Sequence, residues 1–296
     1  MDVIGFGALN VDKIYKVSRI PKPDEEAFVK DVEVYPGGSA ANTIVGLSRL
    51  KLKTGYIGKV GNDEDGRFLL EDLRKEGVDT HQVIEAEGRS GNALIFVDEE
   101  GNRAILVDPG VNDTITYDEI DLDYVQRFRL LHLTSFVCKL SDESFKAQKR
   151  LAEEFDRDLS FDPGTIYAEK GLKELKPILK RTTIFMPNRS EIETLTGLSY
   201  REASQHLLDL GVEVVVVKLG KEGCYITDGK REVTIPAFEV NVVDTTGAGD
   251  AFNVGFLYGY LKGRDLEECG KLGNFVASMC VQKFGARAGL PDVLEI

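Results

Sequence analysis

The richest concentration of chemistry-capable residues is Asp244-Thr245-Thr246-Gly247-Ala248-Gly249-Asp250-Ala251-Phe252. Small residues at 247–249 let a ligand approach the backbone closely. Helical periodicity starts directly after them, through Phe252, Phe256, Leu257 and Tyr260. The turn therefore presents unpaired N–H groups at a helix N-terminus, a setting that favours anions. A phosphoryl group in transfer spreads its charge over equatorial oxygens and suits such a cradle. Asp250 falls in the first turn, beside the cradle, where its carboxylate can receive an alcohol proton. A weak base suffices there, because the nucleophile loses its proton late in a loose transition state. The same residues also read as a helix cap with glycines that serve tight packing, and position alone does not separate the two.

Other motifs fail on spacing. Gly5-Phe6-Gly7 has Asn10 where a dinucleotide fingerprint needs a third small residue. Each Gly-Lys pair lacks the Ser or Thr of a Walker loop, and Gly37-Gly38-Ser39-Ala40-Ala41 is off the nucleophile-elbow pattern. His81, His132 and His206 share no metal spacing, and His132 reads as a core histidine. Cys138, Cys224, Cys269 and Cys280 form no C-x-x-C pair, which argues against zinc, a redox motif or a dense disulfide framework.

The elements that must position these residues follow from apolar patterning. Residues 3–9 read as a buried strand with polar groups at its C-terminal end, and residues 25–35 as further strand. A helix is expected over 39–50, a strand over 54–60 and an amphipathic helix over 64–76. Residues 93–97 and 103–107 flank an acidic Gly-Asn turn and read as a hairpin. Beyond residue 119, strand-like runs at 130–133, 159–161, 183–186 and 214–219 alternate with helical stretches such as 144–155 and 201–210. Two more helices are expected near 248–261 and 266–283. Such alternation predicts a parallel sheet covered on both faces. No linker divides the chain, so residues 1–296 read as one α/β domain with a small β appendage from non-contiguous early strands.

Composition narrows the partners. Lys and Arg number 37 against 50 Asp and Glu, a net charge of −13, which argues against nucleic acid. The apolar fraction of 42% is enough for a sizeable core. No run is long enough to span a membrane and the start lacks a signal-peptide pattern, so a soluble cytoplasmic protein is expected.

Four segments in order resemble the ribokinase-like, or phosphofructokinase-B, carbohydrate kinases. They are Asn10-Val11-Asp12, Gly37-Gly38-Ser39-Ala40-Ala41-Asn42, Asn188-Arg189-Ser190-Glu191 and Asp244–Asp250. The resemblance covers essentially the whole chain. It implies a doubly wound, mostly parallel α/β sheet with helices on both faces, and a β-sheet lid from segments near 12–36 and 92–108. It implies transfer of the ATP γ-phosphoryl group to a sugar hydroxyl, with Asp250 as base and Gly247, Ala248 and Gly249 as anion hole. Asn10, Asp12, Gly37, Gly38 and Asn42 would meet the substrate. Asn188 and Glu191 would help hold Mg²⁺ through water, and Asn188 with Glu191 also reads as a capping box. Lys218, Gly220 and Asn274 match nucleotide-side positions, although many members have Thr at the Lys218 position. Asp244 and Thr246, with Phe284-Gly285-Ala286-Arg287, match a monovalent-cation site such as one for K⁺.

Residues 134–138 offer no acidic group to grip a sugar where some members have one, and Arg103 is a candidate contact for a charged substrate. Pentose, hexose, keto-deoxy sugar acid and nucleoside all remain open as acceptors. A nucleoside kinase is the nearest alternative, and a non-catalytic sugar- or nucleotide-binding regulator a more remote one. A lid with an exposed face predicts a homodimer through that lid.

Overall fold

Short apolar runs build the sheet because they are buried on both sides. In the computed structural model, which describes residues 1–294, Val214 and Val216 join one core while Val215 and Val217 join the other. Period-two burial on two faces turns an alternating pattern into a continuous apolar one.

The strands are β1 (Val3–Phe6), β2 (Asn10–Val17), β3 (Val29–Gly37), β4 (Thr54–Gly61), β5 (Asp79–Ala86), β6 (Gly91–Val97) and β7 (Arg103–Asp108). They continue as β8 (Leu130–Thr134), β9 (Asp158–Asp162), β10 (Ile184–Phe185), β11 (Val214–Lys218), β12 (Cys224–Thr227) and β13 (Glu232–Ile235). Nine form a sheet in the order β13-β12-β11-β10-β9-β8-β1-β4-β5. All neighbours from β11 to β5 are parallel, and β12 and β13 add an antiparallel edge. The expected parallel core is present; the β12–β13 hairpin is an element that the alternation argument did not anticipate.

Helices cover both faces. Ser39–Arg49, Glu64–Lys75, Ala248–Leu261 and Leu266–Cys280 bury Ile44, Leu69, Phe256 and Val276 in one core. Glu143–Glu154, Arg189–Thr196 and Tyr200–Leu210 bury Leu151, Ile192 and Leu207 in the other. Among the described residues no helix is long and apolar enough to cross a membrane, and the four cysteines are free.

The second sheet has the order β3-β2-β6-β7 and no helix of its own between its strands. It leaves Val32, Val34, Ile105, Leu106 and Val107 exposed. The first apolar run does not stay in one strand. It leaves the large sheet after Phe6, and Asn10 begins the second sheet. The buried Asn112 side chain makes this crossover: its Oδ1 accepts from Leu9 N at 2.9 Å and its Nδ2 donates to Leu9 O at 2.7 Å. Local apolarity could not reveal a break imposed by a residue a hundred positions away. The strand expected over 25–35 starts only at Val29, and the last helix ends at Cys280 rather than at 283.

Candidate active site

The glycine turn is shaped by one position. Gly247 has φ 74°, and a Cβ there would collide with Ala286. Asp244 ties the turn down: Oδ1 accepts from Thr246 N at 3.0 Å and Thr246 Oγ1 at 2.7 Å, and Oδ2 accepts from Gly285 N at 2.9 Å. Burial would raise the Asp244 carboxyl, but these donors hold it below its ordinary value. The two expected cation ligands, Asp244 and Thr246, thus face each other and order the turn. Ala248 N donates to Thr245 O at 3.2 Å, whereas the N–H groups of Gly247, Gly249 and Asp250 have no backbone acceptor. Of the expected 247–249 set, Ala248 N is therefore engaged, and Asp250 N joins Gly247 N and Gly249 N as a donor without a backbone acceptor.

Asp250 is held from the first helix. Its Oδ1 accepts from Ser39 Oγ at 2.6 Å and its Oδ2 from Asn42 Nδ2 at 2.8 Å. Gly38, with φ 106°, starts that helix where a Cβ would strike the Ala8 carbonyl. The Asn42 amide is itself oriented, because its Oδ1 accepts from Arg287 Nε at 2.7 Å. Arg287 is buried, pairs with Asp72 and accepts from Arg49 Nη1 at 2.8 Å through its carbonyl. Burial pushes the Asp250 carboxyl up to about 6, against the opposing hydrogen bonds from Ser39 and Asn42.

Asp12 lies on the same side. Burial pushes its carboxyl up to about 6, with Arg287 opposing and Asp250 adding to the rise. A Cβ at Gly37 would collide with the Asp12 carboxylate, so the glycine makes its room. Asn10 is turned partly toward the crossover, its Oδ1 accepting from Asn112 Nδ2 at 3.0 Å.

The strand ends supply the other half. Lys218, at the end of β11, donates to Asp162 Oδ2 at 2.5 Å at the end of β9. Asn253 Nδ2 donates to the same oxygen at 2.7 Å. Lys218 and Asp162 lie at the carboxyl ends of parallel strands, where open α/β sheets bind ligands, and Asn253 reaches them from the Ala248–Leu261 helix. Asn188 and Glu191 form the full capping box: Asn188 Oδ1 accepts from Glu191 N at 2.9 Å, and Asn188 N donates to Glu191 Oε2 at 2.8 Å. Burial and the nearby Asp162 charge raise the Glu191 carboxyl above its ordinary value.

A cavity of about 620 Å³ opens beside the turn, lined among others by Lys218, Gly220, Phe238, Gly249, Phe252 and Asn274. Asn274 helps to build its wall: Nδ2 donates to Ile235 O at 3.0 Å and Pro236 O at 3.1 Å.

The structure thus brings together Asp12, Asn42, Asp250, Lys218 and Glu191. It also places residues that sequence reading did not single out: Ser39, Asn112, Asp162, Asn253 and the side chain of Arg287. Ser39 and Arg287 lie inside quoted motifs, and Asp162 carries the signal of an acid at a strand's carboxyl end. Arg103, on β7, reaches to 3.9 Å of Asp244. His132 is buried with Nδ1 2.8 Å from Ser160 Oγ, as a core histidine should be. No helix follows Gly5-Phe6-Gly7, since β2 comes next, which removes the dinucleotide reading.

Residues 2–293 match the model of the pfkB family carbohydrate kinases. The chain belongs to this family. It is similar to an uncharacterized sugar kinase of Archaeoglobus fulgidus, at 64% identity over 251 residues, 85% of this chain and 100% of that one. The ribokinase of Thermotoga maritima shares its fold at TM-score 0.89 and 28% identity, with 98% of this chain and 96% of that one covered. A nucleoside kinase of Methanocaldococcus jannaschii superposes at TM-score 0.84 and 25% identity, covering 98% and 95%. As a pfkB member the chain is an ATP-dependent carbohydrate kinase, and its two sheets are the ribokinase-like body and lid.

Proposed function

We propose that this kinase phosphorylates a hydroxyl of a small, uncharged sugar, with Asp250 as general base and the N–H groups of the Gly247–Asp250 turn as anion hole. The observation that carries the reading is the position of Asp250. Its carboxylate stands between a helix-terminal cradle that adjoins the 620 Å³ cavity and the Asp12–Asn42 side of the cleft. The adenosine part of ATP fits that cavity, whose walls are largely apolar. The acceptor O–H donates its proton to Asp250 as the oxygen bonds to the γ-phosphorus, and the bond from that phosphorus to the bridging oxygen of ADP breaks.

Three features support an uncharged acceptor. Asp12 and Asp250 are both acidic, Arg287 is already matched by Asp72, and Asn10 and Asn42 offer amides. A nucleoside is the second acceptor class, supported by the likeness to the Methanocaldococcus jannaschii nucleoside kinase. A non-catalytic regulator has less support, since binding alone requires neither Asp250 nor the turn.

The donors fit a hydrated Mg²⁺. Asn188 Oδ1 and one Glu191 oxygen serve the capping box, and the rest of the Glu191 carboxyl sits beside Asp162 with a raised affinity for positive charge. Mg²⁺ there would neutralise charge on the phosphates. Asp244 and Thr246 keep oxygen lone pairs that a monovalent cation such as K⁺ would use without breaking their mutual bond. The need for ATP favours a cytoplasmic location, and the apolar exposed strands of the lid favour a homodimer.

Asp250→Asn tests the assignment, with a panel of sugars and nucleosides assayed for ADP release. The expected result is a loss of kcat by several orders of magnitude with acceptor binding retained. Near-normal turnover would remove Asp250 from the chemistry.

A further inference from the structure

We propose that Asp162 is a positioning residue, which holds the Lys218 ammonium beneath the glycine turn so that its remaining donors face the phosphates of ATP. The proposal rests on the kinase reading and adds to it a residue outside the four motifs.

The geometry is specific. A Cβ at Gly249 would sit 3.4 Å from Lys218 Nζ, so the ammonium lies directly against the turn. The side chains of Lys218 and Asp162 are only 12% and 8% exposed. An ammonium carries three donors. Asp162 Oδ2 takes one at 2.5 Å, and no second acceptor from the protein lies within hydrogen-bond distance among the described residues. The other two are left for a ligand in the cavity that Lys218 lines.

Asp162 is fixed in turn by Asn253 Nδ2 at 2.7 Å and, more weakly, by Gly164 N at 3.4 Å. Asn253 lies three residues after Asp250 on one helix, so the base and the lysine clamp share one rigid element. The arrangement explains why a lysine can occupy a buried strand end. Asp162 supplies the charge that keeps it protonated, and a flexible side chain becomes a fixed cation.

The charged and titratable groups around Lys218 are Asp162 from β9, Glu191 from the Arg189–Thr196 helix, Asp250 from the Ala248–Leu261 helix and His132 from β8. Burial keeps His132 neutral, pushing it down to about 4. Removal of Asp162 takes away the one protein acceptor that fixes the ammonium, so the long side chain is free to swing from the turn.

Calorimetric titration with Mg·ATP and with adenosine, both without acceptor, tests the proposal. Asp162→Asn should weaken Mg·ATP by roughly tenfold or more, on the scale of one charged hydrogen bond, while adenosine affinity stays the same. Lys218→Met should show the same selective loss. The double variant Asp162→Asn with Lys218→Met should be no weaker than Lys218→Met alone, because Asp162 acts through the lysine.

An Asp162→Asn variant with wild-type affinity for Mg·ATP overturns the proposal, as do fully additive losses in the double variant. So does an equal loss for adenosine and Mg·ATP, which would make Asp162 merely structural. If Asp162→Asn does not fold, Lys218→Met decides: unchanged Mg·ATP affinity overturns the proposal and a selective loss sustains it. Wild-type protein that binds no nucleotide would instead overturn the kinase reading beneath it.

Discussion

Ser39→Ala perturbs the proposed base without touching its carboxylate. Ser39 Oγ donates to Asp250 Oδ1 at 2.6 Å, one of two hydrogen bonds that oppose the effect of burial. A hydrogen bond to a charged group contributes about 1.5–3 kcal/mol. At about 1.36 kcal/mol per pH unit, its loss should raise the Asp250 carboxyl by about one to two units. The starting point is about 6, so the variant should titrate near 7–8. Proton transfer needs the carboxylate, which exists above the titration point, so activity must fall as pH falls through it. At pH 7 the wild-type group is roughly 90% ionised and the variant roughly 10–50%. The expected result is a two- to tenfold loss of kcat/KM near pH 7 that recovers by about pH 9. The assay is the pH profile of kcat/KM for an acceptor that shows turnover, since that ratio reports the free enzyme. An acid limb that stays near 6 would refute the electrostatic reasoning. So would a loss that persists at high pH, which would make Ser39 a geometric support instead.

Two further substitutions probe the same site. The Asp12 carboxyl rises from 3.8 to about 6 on folding, so the folded state binds its proton more tightly between those values. The resulting stabilisation is present at low pH and lost as pH rises through about 6. Asp12→Asn should therefore stabilise the fold near pH 8 by at most about 3 kcal/mol, seen as a higher melting temperature, change it little near pH 4 and weaken acceptor binding. Equal melting shifts at both pH values would count against burial as the cause. Arg287→Met should leave the half-buried Asp72 without its partner and free the Asn42 amide to flip, costing about 3 kcal/mol, the low end for a pair that is not fully buried. Calorimetry should show a fall in melting temperature of roughly 6 °C or more, together with a lower kcat, and Arg287→Lys should recover only part of either.

The parallel core was legible because its cause is local. A run such as 214–217 is apolar at every position, since each side of the strand meets a packed helix layer. The crossover at Gly7–Leu9 was not, because its partner is the Asn112 amide from another part of the chain. The same division runs through the site. Gly247–Asp250 announces itself since the turn, the cap and the acid are contiguous. Asp162 becomes recognisable only when β9 and β11 bring it to Lys218, and Arg287 only when it meets Asn42. Asn188 and Glu191 show a different limit: a capping box and a metal-handling pair use the same residue types at the same spacing, and the structure shows that the first is made.

The acids of the site divide by their partners, which resolves how a chain of charge −13 can serve a polyanion. Asp162 and Asp244 each have an ammonium or several N–H donors, and both are held below their ordinary values despite burial. They stay ionised and act as anchors. Asp12, Asp250 and Glu191 lack enough compensation, and all three are pushed up. An under-compensated carboxylate gains by meeting a hydroxyl proton or a cation, which agrees with the ligand positions proposed for these three. The cations follow the same logic in reverse. Arg287 is matched by Asp72, which reserves it for orienting Asn42, whereas Lys218 is matched on one donor only. On the proposed reading, local positive potential at the phosphates comes from backbone N–H groups and one half-satisfied lysine. Backbone N–H groups add nothing to the net charge and one lysine adds a single unit, so a chain of this charge can still hold ATP.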